Sequence, residues 1–172
     1  GAGKTTVFNC LTGFYKATAG SMFLIKENER LNLKKFSDFK VAQKAGVART
    51  FQNIRLFPQM SVLENLMVAQ HNKLMDASGF TILGLFNAPS FVNIEKEAVE
   101  ISKYWLDIIG LTHRADDDAG DLPYGDQRKL EIVRAMCITP HLLCLDEPAA
   151  GLNAKESAEL NKLLLFIKKE KK

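Results

Sequence analysis

Gly3-Lys4-Thr5-Thr6, which follows Gly1-Ala2 at the head of the chain, combines residue types suited to holding phosphate. Glycines let main-chain N–H groups approach phosphate oxygens, a lysine ammonium reaches β- and γ-phosphates, and a threonine hydroxyl suits Mg²⁺. Gly1 to Thr5 reads as the closing half of G-x-x-x-x-G-K-[ST], with Gly3, Lys4 and Thr5 as its G-K-T. A helix after the loop would add its positive N-terminal end to the anion site. Taken alone, the segment fits either a nucleotide site or a chance glycine turn.

A second group lies far downstream. Leu142-Leu143-Cys144-Leu145 is a continuous apolar run that ends in Asp146-Glu147. This pattern describes a strand buried on both faces of a parallel sheet, with carboxylates at its C-terminal tip. Open α/β sheets bind ligands at such tips. Asp146 is placed to hold Mg²⁺ directly or through water, and Glu147 to polarise an attacking water. The plainer alternative is a strand ending in solvated acids, and the phosphate loop weighs against it.

The intervening chain must bring these groups together. Thr5 to Leu11 suits a helix closing near Gly13, and Ser21 to Lys26 and Val47 to Phe51 suit short strands. Ser37 to Lys44 is weakly helical. Ser61-Val62-Leu63-Glu64 has the capping-box pattern, followed by Leu66, Met67, Leu74 and Met75 at helical spacing. Asp76 to Phe91, rich in Gly, Ser, Asn and Pro, is expected to be a surface excursion. A further helix presents Ala98, Ile101, Trp105 and Ile108 on one face and stops at Gly110. Leu130, Val133 and Cys137 mark the buried face of another, and Asn153 with Glu156 caps the last. Sheet pieces at both ends with helices between predict α/β architecture with a helical insertion.

Composition allows an ordinary globular core: 172 residues, 47% hydrophobic and 25% charged. A net charge of +3 is too small to argue for a nucleic-acid partner. The Lys168-Lys169-Glu170-Lys171-Lys172 run reads as a solvated helix end. Cys10, Cys137 and Cys144 lack metal-ligand spacing and are expected to be buried thiols in a reducing compartment. No apolar run is long enough to span a bilayer.

Leu122-Pro123-Tyr124-Gly125-Asp126-Gln127-Arg128 precedes the acidic strand. With it the chain resembles the nucleotide-binding subunit of an ATP-binding cassette (ABC) transporter, whose signature is usually Leu-Ser-Gly-Gly-Gln. The leucine, one glycine and the Gln-Arg tail are kept, while Pro123, Tyr124 and Asp126 depart from it. Arg49-Thr50-Phe51-Gln52 resembles the family's Q-loop, and Pro148 to Asn153 its D-loop. The Tyr-Gly-Asp signature, Val-Ala-Arg-Thr-Phe-Gln and Asp-Glu-Pro-Ala-Ala-Gly-Leu-Asn are similar to the subfamily serving high-affinity import of leucine, isoleucine and valine.

The resemblance implies a P-loop NTPase (RecA-like) core with a helical subdomain and an incomplete sheet. It divides the chain into a core with phosphate loop and Q-loop (1–60), a helical signature region (61–138), and a strand, D-loop and helix (139–172). It implies ATP and Mg²⁺ as ligands: Gly1, Ala2, Gly3, Lys4, Thr5 and Thr6 on the phosphates, and Thr5, Gln52 and Asp146 on the metal. Glu147 and Gln52 would be catalytic, and Tyr124, Gly125 and Asp126 would face the nucleotide of a second ATP-binding subunit. Asp126 would repel phosphate unless it points away or pairs with Arg128. The implied partners are permease subunits and, indirectly, a periplasmic or extracellular amino acid-binding protein, with no nucleic acid, at the cytoplasmic face of a bacterial membrane. The chain is expected to be a fragment, with the first loop glycine, the adenine-stacking aromatic and the switch histidine outside it. His71, His113 and His141 fall at the wrong positions for that histidine and read as surface or loop residues. Alternatives are an ABC ATPase for another substrate, a soluble ABC protein of DNA repair or translation, a non-enzymatic nucleotide-binding module, and, least favoured, a kinase or GTPase on the same loop.

Overall fold

The computed structural model describes residues 3–26, 29–36, 39–71 and 89–170. Gly1, Ala2, Leu74, Met75 and most of the expected 76–91 excursion lie outside the described residues.

Helix α1 (Lys4–Leu11) follows the glycine turn and ends at Gly13, whose φ of 83° places it in the left-handed region that glycine adopts freely. Strands β1 (Phe23–Lys26) and β2 (Glu29–Asn32) form an antiparallel hairpin with Phe23 opposite Asn32 and Lys26 opposite Glu29. Only β1 is legible in sequence. The polar run of β2 carries little strand propensity, and its pairing with β1, with Arg30 stacked over Phe23 at 3.7 Å, supplies what propensity lacks. Helix α2 (Phe39–Ala45) leads into β3 (Val47–Arg49).

The chain then crosses to the helices. The Ser61–Glu64 capping box is formed in full and starts α3 (Val62–Ala69). Helix α4 (Pro89–Ile108) begins before Phe91, so the expected excursion is shorter than composition suggests. Its buried face, Ala98, Ser102, Trp105 and Leu106, with Ile109 just past its end, is wider than the predicted stripe, in which Ile101 and Ile108 are only half-buried. Buried Gln70 at the end of α3 donates to Ala98 O and Ser102 Oγ at 3.0 Å each, tying α3 to α4. Helix α5 (Tyr124–Met136), strand β4 (Leu142–Cys144) and helix α6 (Ala154–Glu170) complete the order. Asn153 and Glu156 exchange the expected cap bonds at the start of α6, at 2.9 and 3.0 Å.

Two apolar clusters result. Leu66, Leu106, Leu130, Val133, Met136 and Leu160 join α3 to α6 in one. Leu33, Val41, Ala45, Val47 and Cys144 form the other, with Phe8 and Leu11 of α1 against it. Strands β3 and β4 pair in parallel, as the apolar run predicts, but Leu142 and Leu143 are only half-buried among the described residues.

Cys137 and Cys144 are buried, whereas Cys10 is half-buried, against the expectation of three buried thiols. Burial pushes the Cys144 thiol above the ordinary range, and the nearby Arg49 charge offsets only part of that. An alkylating reagent at neutral pH is therefore expected to modify Cys10 well before Cys144. Equal rates in a mass-spectrometric time course would contradict this placement.

Candidate active site

The parallel register of β3 and β4 builds the centre of the site. Arg49 pairs with Cys144, and Thr50 N–H extends the ladder to Cys144 O at 3.0 Å. Gln52 and Glu147 lie equally far past those paired ends, so the two loops leave the sheet on the same side. The Gln52 amide Nε2 donates to Glu147 Oε2 at 3.4 Å, a long bond of the kind open catalytic sites show. Glu147 is exposed, and its φ of 44° is a left-handed conformation that costs a non-glycine residue about 1 kcal/mol. Such strain concentrates at functional positions.

Asp146 is half-buried and pairs with Arg49 Nη2 at 3.3 Å. Arg49 also donates through Nη1 to Asn9 Oδ1 on α1 at 2.7 Å and to Thr12 Oγ1 just past that helix at 3.2 Å. Its guanidinium lies 4.6 to 5.1 Å from the rings of Phe8, Phe14 and Phe51. One arginine thus ties the phosphate-loop helix to the acidic tip, a role that sequence reading did not assign. The only local hint is a cation at a strand end beside aromatic residues.

The start of α1 has the form of an anion cradle. Gly3 has φ 95°, nothing stands within 4 Å of where its side chain would begin, and no side chain caps the helix. Val7 N–H reaches back to Gly3 O at 3.0 Å, and among the described residues the amides of Lys4, Thr5 and Thr6 have no helical acceptor. Lys4, Thr5 and Thr6 are exposed.

The Tyr124–Asp126 segment is the first turn of α5. Asp126 pairs with Lys129 at 2.7 Å, not with Arg128 as sequence reading allowed. Helical residues two apart do not face each other, whereas three apart do. Desolvation opposes the Lys129 charge, but Asp126 and then Glu159 outweigh it and hold its pKa above the ordinary lysine range. Gly125 is buried against Glu156, whose carboxylate would lie 2.9 Å from any added Cβ. Tyr124 packs on Gly151 and donates its hydroxyl to Ala150 O at 3.3 Å, so the signature turn rests on the D-loop. The three histidines are exposed, as expected. A cavity of about 860 Å³ lined by Phe14, Val47, Phe51, Phe57, Val68 and Ile138 lies beside the Q-loop, and Lys4, Thr5, Asp146 and Glu147 are not part of it.

A glycine–lysine–threonine turn opening a helix, with acids at the tip of a parallel strand, is the P-loop NTPase fold of an ATP-binding cassette. The model of the family described as "ABC transporter" matches residues 1–150, and the chain belongs to that family. It is 49% identical over 170 residues to the high-affinity branched-chain amino acid transport ATP-binding protein BraF of Pseudomonas aeruginosa, covering 99% of this chain and 64% of that one. To the corresponding LivG of Escherichia coli K12 it is 49% identical over 168 residues, covering 98% and 63%. The chain thus spans less than two thirds of the length of these relatives. Among solved structures, the ADP conformation of MJ1267, an ATP-binding cassette of an ABC transporter, superposes with a TM-score of 0.73 at 28% identity, covering 98% of this chain and 62% of that one.

Proposed function

We propose that this chain is the nucleotide-binding part of an ATPase that powers import of branched-chain amino acids. The observation that carries the reading is the register of β3 and β4, which sets Gln52 and Glu147 in contact beside an acid of the strand tip. The identity to branched-chain amino acid transport proteins over nearly the whole chain supports the substrate class.

In this reading the amides at the start of α1, with Gly1, Ala2, Lys4 and Thr6, hold the ATP phosphates. Thr5, Gln52 and Asp146 are the oxygen donors suited to Mg²⁺, which binds through few protein ligands and the phosphates themselves. When bound, the metal neutralises developing phosphate charge. Arg49 holds Asp146 in place from the α1 side. Glu147 takes the proton of the attacking water while Gln52 orients that water. Tyr124, Gly125 and Asp126 face the nucleotide of a second ATP-binding subunit, where the Tyr124 and Gly125 amides, at the open end of α5, offer donors. Among the described residues no helix is long and apolar enough to cross a membrane. The proposed setting, supported by the likeness to transport ATP-binding proteins, is peripheral, at the cytoplasmic face, on permease subunits fed by an amino acid-binding protein.

The test is reconstitution of the full-length protein with its permease in vesicles. ATP-dependent uptake of labelled leucine, competed by isoleucine and valine, is expected. ATP turnover with no uptake of any of the three would remove the substrate assignment and leave the ATPase.

A further inference from the structure

Residues 50 to 60 contain no helix or strand, so their main-chain groups need partners from elsewhere. One buried ion pair on α5 supplies several. Arg128, fully buried, donates through Nη1 to Phe51 O at 2.9 Å and through Nη2 to Gln52 O at 2.6 Å. Its partner Glu131, 2% exposed and 2.8 Å from Arg128 Nη1, accepts the Arg55 N–H at 3.2 Å. Downstream, buried Asn65 accepts from Phe57 N–H at 2.9 Å and donates to Phe57 O at 3.0 Å. Arg128 Nη2 also donates to the Tyr124 hydroxyl at 3.3 Å, which in turn reaches Ala150 O. A continuous hydrogen-bond path therefore runs from the D-loop through the signature turn to the carbonyl of Gln52.

The cost of this arrangement says that it does more than fill space. Desolvating two charges is expensive, and a buried ion pair adds little stability over an apolar pair of the same volume. Besides pairing with Glu131, Arg128 gives Nη1 to the Phe51 carbonyl and Nη2 to the Gln52 carbonyl and the Tyr124 hydroxyl, while its buried Nε has no partner among the described residues. We propose that Arg128, with Glu131, is a positioning residue: it fixes the Gln52 main chain against the signature turn, so that the Gln52 amide meets Glu147 only when that turn is seated. This rests on the ATPase reading, since Gln52 and Glu147 must be the reacting pair. Arg128 acts through Gln52 and touches no substrate.

The test uses two variants of the full-length protein. Arg128→Lys keeps the charge and its pairing with Glu131 but lacks the planar fork needed to reach both carbonyls. Arg128→Met with Glu131→Met removes both charges together, so folding does not depend on a stranded ion. Both are expected to lower kcat for ATP tenfold or more, because small misplacements of a catalytic group carry such losses. KM for ATP should stay within about threefold, since the phosphate loop is on another element. The Arg55 amide should exchange with deuterium at least tenfold faster in the double variant, with exchange along α5 unchanged. Turnover within twofold of wild type in either variant overturns the proposal, as does an unchanged Arg55 exchange rate. Absence of turnover in the wild-type protein itself overturns the ATPase reading and this one with it.

Discussion

Glu147→Gln in the full-length protein is expected to lower ATP hydrolysis by about 10²–10⁴-fold and leave ATP binding and ATP-driven dimerisation intact. The substitution keeps the size of the side chain and an oxygen that can accept from Gln52 Nε2, now 3.4 Å from Glu147 Oε2. What it removes is the site for the proton of the attacking water. Glu147 is exposed, so the melting temperature should not move. The left-handed φ of 44° is unrelieved by glutamine, which keeps that energetic term constant as well. Single-turnover hydrolysis and an equilibrium binding titration separate the two effects. A hydrolysis rate equal to wild type would falsify the assignment of Glu147 as base, and a lost affinity would make it a binding residue.

Local signals account for what the sequence discloses here. The Ser61–Glu64 and Asn153–Glu156 boxes each close within one turn, and both form as the spacing predicts. The apolar Leu142–Leu145 run followed by Asp146-Glu147 likewise shows where a strand ends and acids begin. Sequence reading failed where the deciding partner is remote. Arg49 meets Asn9 and Asp146 across 40 and 97 positions, and Arg128 meets Gln52 across 76. Beyond the aromatic residues beside Arg49, nothing near either residue in sequence announces these contacts. The partner of Asp126, left open by the sequence, is decided locally: with Tyr124 as the first helical residue, its neighbour on the surface is Lys129. The strand β2 was missed because its pairing with β1, not its composition, makes it a strand.

Lys4→Ala is expected to weaken ATP binding by about 10–100-fold, the loss of one charge-assisted contact of about 1.5–3 kcal/mol. Lys4 begins α1 immediately after Gly3 and is exposed, so its removal leaves no cavity and no stranded partner. The amides of Thr5 and Thr6 and the helix end remain, and residual affinity should come from them. Arginine is not an equivalent replacement, because a wide planar fork does not occupy the place of a point charge beside the loop. The variant therefore differs in kind from Glu147→Gln. Lost affinity with normal thermal stability places Lys4 on the phosphates, whereas wild-type affinity in a nucleotide titration counts against the phosphate-loop assignment. Combining the two substitutions sharpens the distinction. If Lys4 acts in binding and Glu147 only in the chemical step, the double variant should bind ATP as weakly as Lys4→Ala alone, and no more weakly.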